Sequence, residues 1–220
     1  HSLYSNTTGF NNTASGALAL YSNTTGSLNT ASGFGSLYSN TTGDSNTASG
    51  YKSLYENSTG SNNTASGRES LYENTTGSNN TAFGLRSLYK NTTGSNNTAS
   101  GYFSLYKNTT GVNNTAFGYA TLYYNTTGSQ NTAFGYSAMA STDNATNQTV
   151  IGYEATGQAD NSVVLGNDDV TAVYMGEDSG ATVYAASFVG DGSQLTGITG
   201  SASSLNDLTD VLVDSHSMFL

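Results

Sequence analysis

Proline and cysteine are both absent from this chain of 220 residues. Without cysteine there is no disulfide framework, no zinc-thiolate site and no cysteine nucleophile, and thiols say nothing about the redox compartment. Without proline there is no Pro-rich linker. Charge is scarce as well: Asp, Glu, Lys and Arg make up 9% of the chain, against roughly 25% in ordinary soluble domains. A compact enzyme with a charged, solvated rind does not have this composition. Hydrophobic residues reach 35% but are scattered in short runs, and none approaches the roughly 20 apolar residues of a membrane-spanning helix. No segment reads as a signal peptide. The chain opens at His1 rather than Met, which suggests a processed product or part of something longer.

What the chain does contain is a repeat. From Ser2 the unit S-L-Y-x-N-T-T-G-x-x-N-T-A-x-G-x-x recurs eight times without insertion or deletion, ending at Ser137, with a period of 17 residues. Leucines fall on one beat, among them Leu3, Leu54 and Leu122, and tyrosines follow one residue later, from Tyr4 through Tyr55 to Tyr123. One asparagine column comprises Asn6, Asn23, Asn40, Asn57, Asn74, Asn91, Asn108 and Asn125, and a second runs from Asn12 to Asn131. An alanine column runs from Ala14 to Ala133, and glycine columns run from Gly9 to Gly128 and from Gly16 to Gly135. The period persists once more, from Thr132-Ala133-Phe134-Gly135-Tyr136 to Thr149-Val150-Ile151-Gly152-Tyr153; the next such glycine, Gly166, comes after only 14 residues.

Helical repeats need about 33 residues or more for two packed helices, and Gly, Asn, Thr and Ser at this density are poor helix formers. Short stretches such as Ser-Leu-Tyr and Asn-Thr-Ala, punctuated by Asn-Thr-Thr-Gly and Ala-x-Gly turns, fit a different unit, one coil of a parallel β-solenoid. The expectation is an all-β chain: residues 1–137 form eight 17-residue β-roll coils, 138–180 degenerate head-like coils, and 181–220 an acidic, β-rich, irregular stalk-like segment. Coils stacked about 4.8 Å apart place equal positions above one another. Both asparagine columns then become ladders whose amides bond to the coils above and below.

Neighbours on a strand face opposite ways, so Leu inward implies Tyr outward. Eight tyrosines at 150–250 Å² each, half exposed, make an outer stripe on the order of 1,000 Å², more than the 300–600 Å² of apolar patch a monomer usually shows. Burial of the stripe against other copies of the chain follows, with Leu, Tyr and Ala as core or seam residues of a homotrimer. The alternative is a corner between Leu and Tyr that turns both inward.

Asn161-Ser162-Val163-Val164-Leu165-Gly166 resembles the head repeat of YadA-like trimeric autotransporter adhesins, and the eight longer copies read as variants of it. Phe188-Val189-Gly190-Asp191-Gly192-Ser193-Gln194-Leu195-Thr196-Gly197-Ile198 and Leu205-Asn206-Asp207-Leu208-Thr209-Asp210-Val211 resemble linkers of phage tail fibres and related microbial surface fibres. The resemblance implies a left-handed, trimerising β-roll. In such fibres these linkers commonly precede an endosialidase-type chaperone domain that is cleaved after assembly, and no such domain is present before Leu220. The 17-residue period departs from the usual 14 of these heads.

All five bases, Lys52, Arg68, Arg86, Lys90 and Lys107, lie in the eight copies beside four acids, while eleven acids and no base follow from Ala138 onward. Nucleic acid and anionic membrane both reward Lys and Arg, so neither is expected as a partner. The two histidines, His1 and His216, stand near the two ends of the chain, which offers no Ser-His-Asp relay. Asp168-Asp169, Glu177-Asp178 and Asp191 match no calcium loop, and Gly190-Asp191-Gly192 lacks the Lys and helix of a phosphate cradle. They read as solvated turn carboxylates. No catalytic residue, metal or cofactor is assigned. The Asn-Thr-Thr and Asn-Asn-Thr sequons read as ladder residues, because a glycan on every coil of one column is sterically implausible. Variable positions, such as Ser5/Glu56/Lys90/Tyr124 and Ser15/Phe83, read as surface drift plus packing adjustment.

The expected role is a non-enzymatic shaft or head of a trimeric extracellular fibre, on a bacterial surface adhesin or a phage tail, that mediates attachment. Its partners would be its own copies and a host or surface receptor, glycans included. The alternative is an ice- or glycan-binding solenoid that uses the Thr and Asn ladders.

Overall fold

The computed structural model describes residues 1–173. It is all-β, with no helix among the described residues. Ten short strands make one parallel sheet in chain order: β1 (Thr13–Ser15), β2 (Thr30–Ser32), β3 (Thr47–Ser49), β4 (Thr64–Ser66), β5 (Thr81–Phe83), β6 (Thr98–Ser100), β7 (Thr115–Phe117), β8 (Thr132–Phe134), β9 (Gln148–Ile151) and β10 (Ser162–Leu165). Each pairs with the strand one period on, so that Ala31 lies opposite Ala48 and Ala116 opposite Ala133. From β1 to β9 the offset is 17 residues; between β9 and β10, where Val150 faces Val164, it is 14. The architecture is therefore a parallel β-solenoid.

In each three-residue strand the central Ala points inward and its neighbours outward, as the two-residue side-chain period requires. Ala31 through Ala133 are fully buried, and the leucine column from Leu20 to Leu122 joins them in one continuous core. The sheet side of this interior is lined by alanine up to Ala133 and by Val150 in β9.

Ser-Leu-Tyr is not the β-stretch expected from its composition. It lies in a turn, and every leucine of the column has left-handed backbone, with φ of 49–52°. That conformation costs an L-residue roughly 1–2 kcal/mol. Complete burial of the leucine side chain, worth about 1.5–3 kcal/mol, offsets it, and a turn bond from the Asn23 N–H to the Leu20 carbonyl closes the corner at 3.3 Å.

The two glycine columns serve different needs. Gly33 and its equivalents sit at positive φ, and a Cβ on Gly33 would lie 2.5 Å from the Gly50 carbonyl oxygen in the next coil. Gly26 has ordinary φ, but a Cβ there would meet the Gly43 carbonyl oxygen at 2.5 Å and the Asn23 amide at 2.6 Å. The corner is thus kept bare so that asparagine can reach the backbone.

Candidate functional site

The invariant interior consists of two amide columns that share acceptors. In the column from Asn6 to Asn125, each Nδ2 donates to the Oδ1 of the coil before it at 2.7–2.9 Å. It also donates to the glycine carbonyl three residues on at 2.8–3.1 Å. The column from Asn12 to Asn131 works differently, for its main bonds are to backbone. Its Nδ2 groups reach the same glycine corner one coil on, at 2.8 Å for Asn63 to Gly77, and its Oδ1 groups accept the next asparagine's backbone N–H at 2.9–3.0 Å. Gly77 O therefore takes one bond from each ladder. No buried side-chain polar atom among the described residues lacks a partner. A glycan cannot be carried by an amide of the first column from Asn23 to Asn108, since each is buried with both donor directions used.

Outside the turn, the tyrosines from Tyr4 to Tyr123 form one continuous stack, with ring centroids 4.9–5.3 Å apart and planes within 14°. From Tyr21 to Tyr123 they are half-buried, while Tyr4 is exposed. Each ring covers the face of the next, so the column shows its edges outward. Burial, first among several causes, pushes the phenols of Tyr72, Tyr89 and Tyr123 above their ordinary pKa. Cations stand beside this column: the Lys52 ammonium lies 5.1 Å from the Tyr55 ring centre, the Arg86 guanidinium 5.5 Å from Tyr89, and Lys107 Nζ 5.5 Å from Tyr123.

One acid is drawn inward. Glu69 is 8% exposed and holds Arg86 Nε at 2.6 Å and Arg68 Nε at 3.3 Å. Burial alone would raise its pKa, but the hydrogen bonds and charges of Arg86 and Arg68 outweigh it, and the net shift is downward. Sequence reading passed over this clamp, although the 17-residue spacing of Glu69 and Arg86 was its signal. Glu56 shifts the other way, raised first by burial and then by the Glu73 charge one coil on.

The threonine pairs divide their duties. The first hydroxyl of each pair donates to a carbonyl of the next coil, as from Thr24 to Thr41 at 2.9 Å and from Thr92 to Thr109 at 3.1 Å. The second, Thr8 through Thr127, is exposed in every coil, whereas the first is exposed only at Thr7. On the outer sheet face a further threonine rank runs from Thr13 to Thr149 beside a rank that is serine in β1–β4 and β6 and phenylalanine in β5, β7 and β8.

Asp168 and Asp169 are exposed, and the Asp169 N–H is held by Asn167 Oδ1 at 3.1 Å. His1 packs against Tyr4. Glu177-Asp178, Asp191, His216 and both fibre-type linkers lie outside the described residues, as does the expected segment 181–220. Among the described residues no group of three or more His, Asp or Glu could hold a metal, and no helix is long and apolar enough to cross a membrane. No family model, curated protein or solved structure matches the chain.

Proposed function

We propose that the chain is a non-enzymatic structural segment, shaft or head, of a homotrimeric extracellular fibre of the adhesin or tail-fibre kind, and that it holds an attachment function away from its anchorage. The observation that supports this most is the sameness of the coils. The same set of amide, glycine and leucine contacts recurs from coil to coil, which sets length and stiffness and leaves the interior no distinct residues for a reaction. In a solenoid each repeat contacts only its neighbours, so the axis can lengthen without redesign. Attachment to a receptor, glycan or otherwise, is then a matter for the outer columns or for residues beyond 173.

The ice- or glycan-binding reading has weaker support. The Thr-Thr corner offers a single free hydroxyl rank, because the first hydroxyl is bonded within the stack. Sugar rings pack on aromatic faces, and those faces are occupied by the neighbouring tyrosines.

Sedimentation equilibrium at micromolar concentration, with electron microscopy of the same sample, tests the proposal. It expects a mass of three chains and rod-shaped particles; a well-folded monomer would overturn it. Thermal hysteresis or a clear hit on a glycan array would move the reading to the competing class.

A further inference from the structure

The outer columns of the solenoid are not uniform along its axis. At the outward position of the strands, β1 to β4 carry serine, whereas β7 to β10 carry Phe117, Phe134, Ile151 and Leu165, which stand in register across the sheet. Phe117 and Phe134 stack with centroids 5.1 Å apart and planes 2° apart. Two residues further along each coil runs a second column. It reads Ala17, Phe34, Tyr51, Arg68 and Leu85 in the earlier coils and Tyr102, Tyr119, Tyr136 and Tyr153 in the later ones, these four stacked at 5.0–5.3 Å. Only from Phe117 to Tyr153 are both columns apolar in consecutive coils.

These eight side chains are 39–61% exposed. At 150–250 Å² per large side chain, they present on the order of 700 Å² of apolar surface. The largest patch on a typical monomer is about 300–600 Å², and a standard interface buries about 800 Å² per partner. Charge is missing from the middle of this patch: no Asp, Glu, Lys or Arg occurs between Lys107 and Asp143, and Asp143, Glu154 and Asp160 enter only in the last coils. Aromatic enrichment with charge depletion is the composition of an interface core. Identical copies brought together around an axis meet no like-charge repulsion there, whereas coils further up would oppose Lys52, Arg68 and Lys90 to themselves.

We infer that the C-terminal half of the solenoid is the self-association seam, and that the Phe117–Leu165 column of one copy packs against the Tyr102–Tyr153 column of the next. This rests on the trimeric reading above and moves the seam away from the Tyr4–Tyr123 stack, whose members are largely covered by one another. A cyclic trimer needs two different patches on each copy, one for each neighbour. Two adjacent apolar columns that meet at the glycine corner Gly118, Gly135 and Gly152 supply them.

The repeat itself provides a test that spares the fold. Ser66 and Ser100 occupy the tested position in β4 and β6 with the same pairing, so Phe117→Ser with Phe134→Ser writes one natural coil into another. The full chain and this double variant are compared by sedimentation equilibrium and far-UV circular dichroism, with Phe34→Ala/Tyr51→Ala as the control at the other end. The expected result is an unchanged spectrum, a control as trimeric as the parent, and at least hundredfold weaker association of the Phe→Ser chain. Tyr119→Arg/Tyr136→Arg, which copies Arg68 into the second column, should dissociate likewise. A parent chain that is monomeric overturns the trimer itself. A parent that is trimeric while both variants stay equally trimeric leaves the trimer standing and overturns the seam. Association lost to the same degree in the Phe34/Tyr51 control also overturns it, because the seam would then run the whole length.

Discussion

Replacing Asn74 by alanine separates the ladder's contribution from that of the packed core. Asn74 sits mid-column, fully buried. Its Nδ2 donates to Asn57 Oδ1 at 2.7 Å and to Gly77 O at 2.9 Å, and its Oδ1 accepts from Asn91 at 2.8 Å. After truncation Gly77 O keeps its bond from Asn63, and Asn91 Nδ2 keeps Gly94 O. Asn57 Oδ1 keeps nothing. Three lost bonds at about 1 kcal/mol net each, with one buried acceptor orphaned at about 1–3 kcal/mol, give an expected loss of about 4–6 kcal/mol. Asn6→Ala removes a half-exposed amide with three bonds, one of them long at 3.4 Å, where water can take over, so about 1 kcal/mol is expected. Urea unfolding followed by far-UV circular dichroism measures both. Asn74→Asp adds a sign. The carboxylate would face two acceptors it cannot donate to, and its pKa in the folded state would rise above the ordinary value of about 3.9. A raised carboxyl pKa destabilises at high pH, so Asn74→Asp should be worse than Asn74→Ala at pH 7 and should recover as pH falls through the raised pKa towards 4. Equal losses for Asn74→Ala and Asn6→Ala, or an Asn74→Asp penalty that does not change with pH, would refute the ladder argument.

Two further outcomes follow from the same contacts. Glu69 is held below the usual carboxylate range by Arg86 and Arg68, so its contribution is complete above the unfolded pKa of about 4.3 and disappears as pH falls through the lower folded value; Glu69→Gln should flatten the acid limb of the stability profile, and an unchanged limb would show the clamp to be idle. Deleting Ser70–Arg86 removes one whole coil and should leave a folded chain about 4.8 Å shorter, whereas a deletion one residue shorter turns the leucine face outward and breaks both ladders at the junction; equal melting temperatures for the two deletions would contradict stacking in register.

The period made most of this fold legible. A fixed 17-residue spacing sets Ala over Ala and Asn over Asn whatever the local conformation, and Thr-Ala-Ser between turn residues is a strand with its small residue inward. The left-handed leucines were not legible. Sequence propensity judges a residue by its own backbone preference, and leucine strongly prefers negative φ; the conformation is imposed by a core too narrow to receive Leu20 from an extended segment beside Ala31. The shortened last coil was visible as a 14-residue gap, but not which residues had gone. Met139 still pairs with Thr156 at an offset of 17, and Gln148 pairs with Ser162 at 14. The three residues are therefore taken from the corner that carried the first asparagine column. Gln148 fills the place of an asparagine there, accepting the Ser141 N–H at 3.0 Å and donating to Ser141 Oγ at 2.6 Å.

Invariant and variable columns thus carry separate information. Strands with serine outward and strands with phenylalanine outward share one register and one buried alanine, as β6 and β7 show, so the outward residue is free of the fold. Taken one coil at a time that freedom looks like drift, since any single substitution is tolerated. Summed along a column at about 4.8 Å per coil, it becomes a surface whose chemistry changes with height: serine hydroxyls on the strands at the start, with Phe34 and Tyr51 beside them, cations against tyrosine edges from Lys52 to Lys107, and uncharged aromatic columns from there to Tyr136. A sequence pattern that counts copies averages this gradient away, whereas stacking the copies in space displays it. Whatever distinguishes one level of this solenoid from another must therefore act chiefly through the outer columns, because the leucine and asparagine columns of the interior are the same at every level from Leu20 to Leu122.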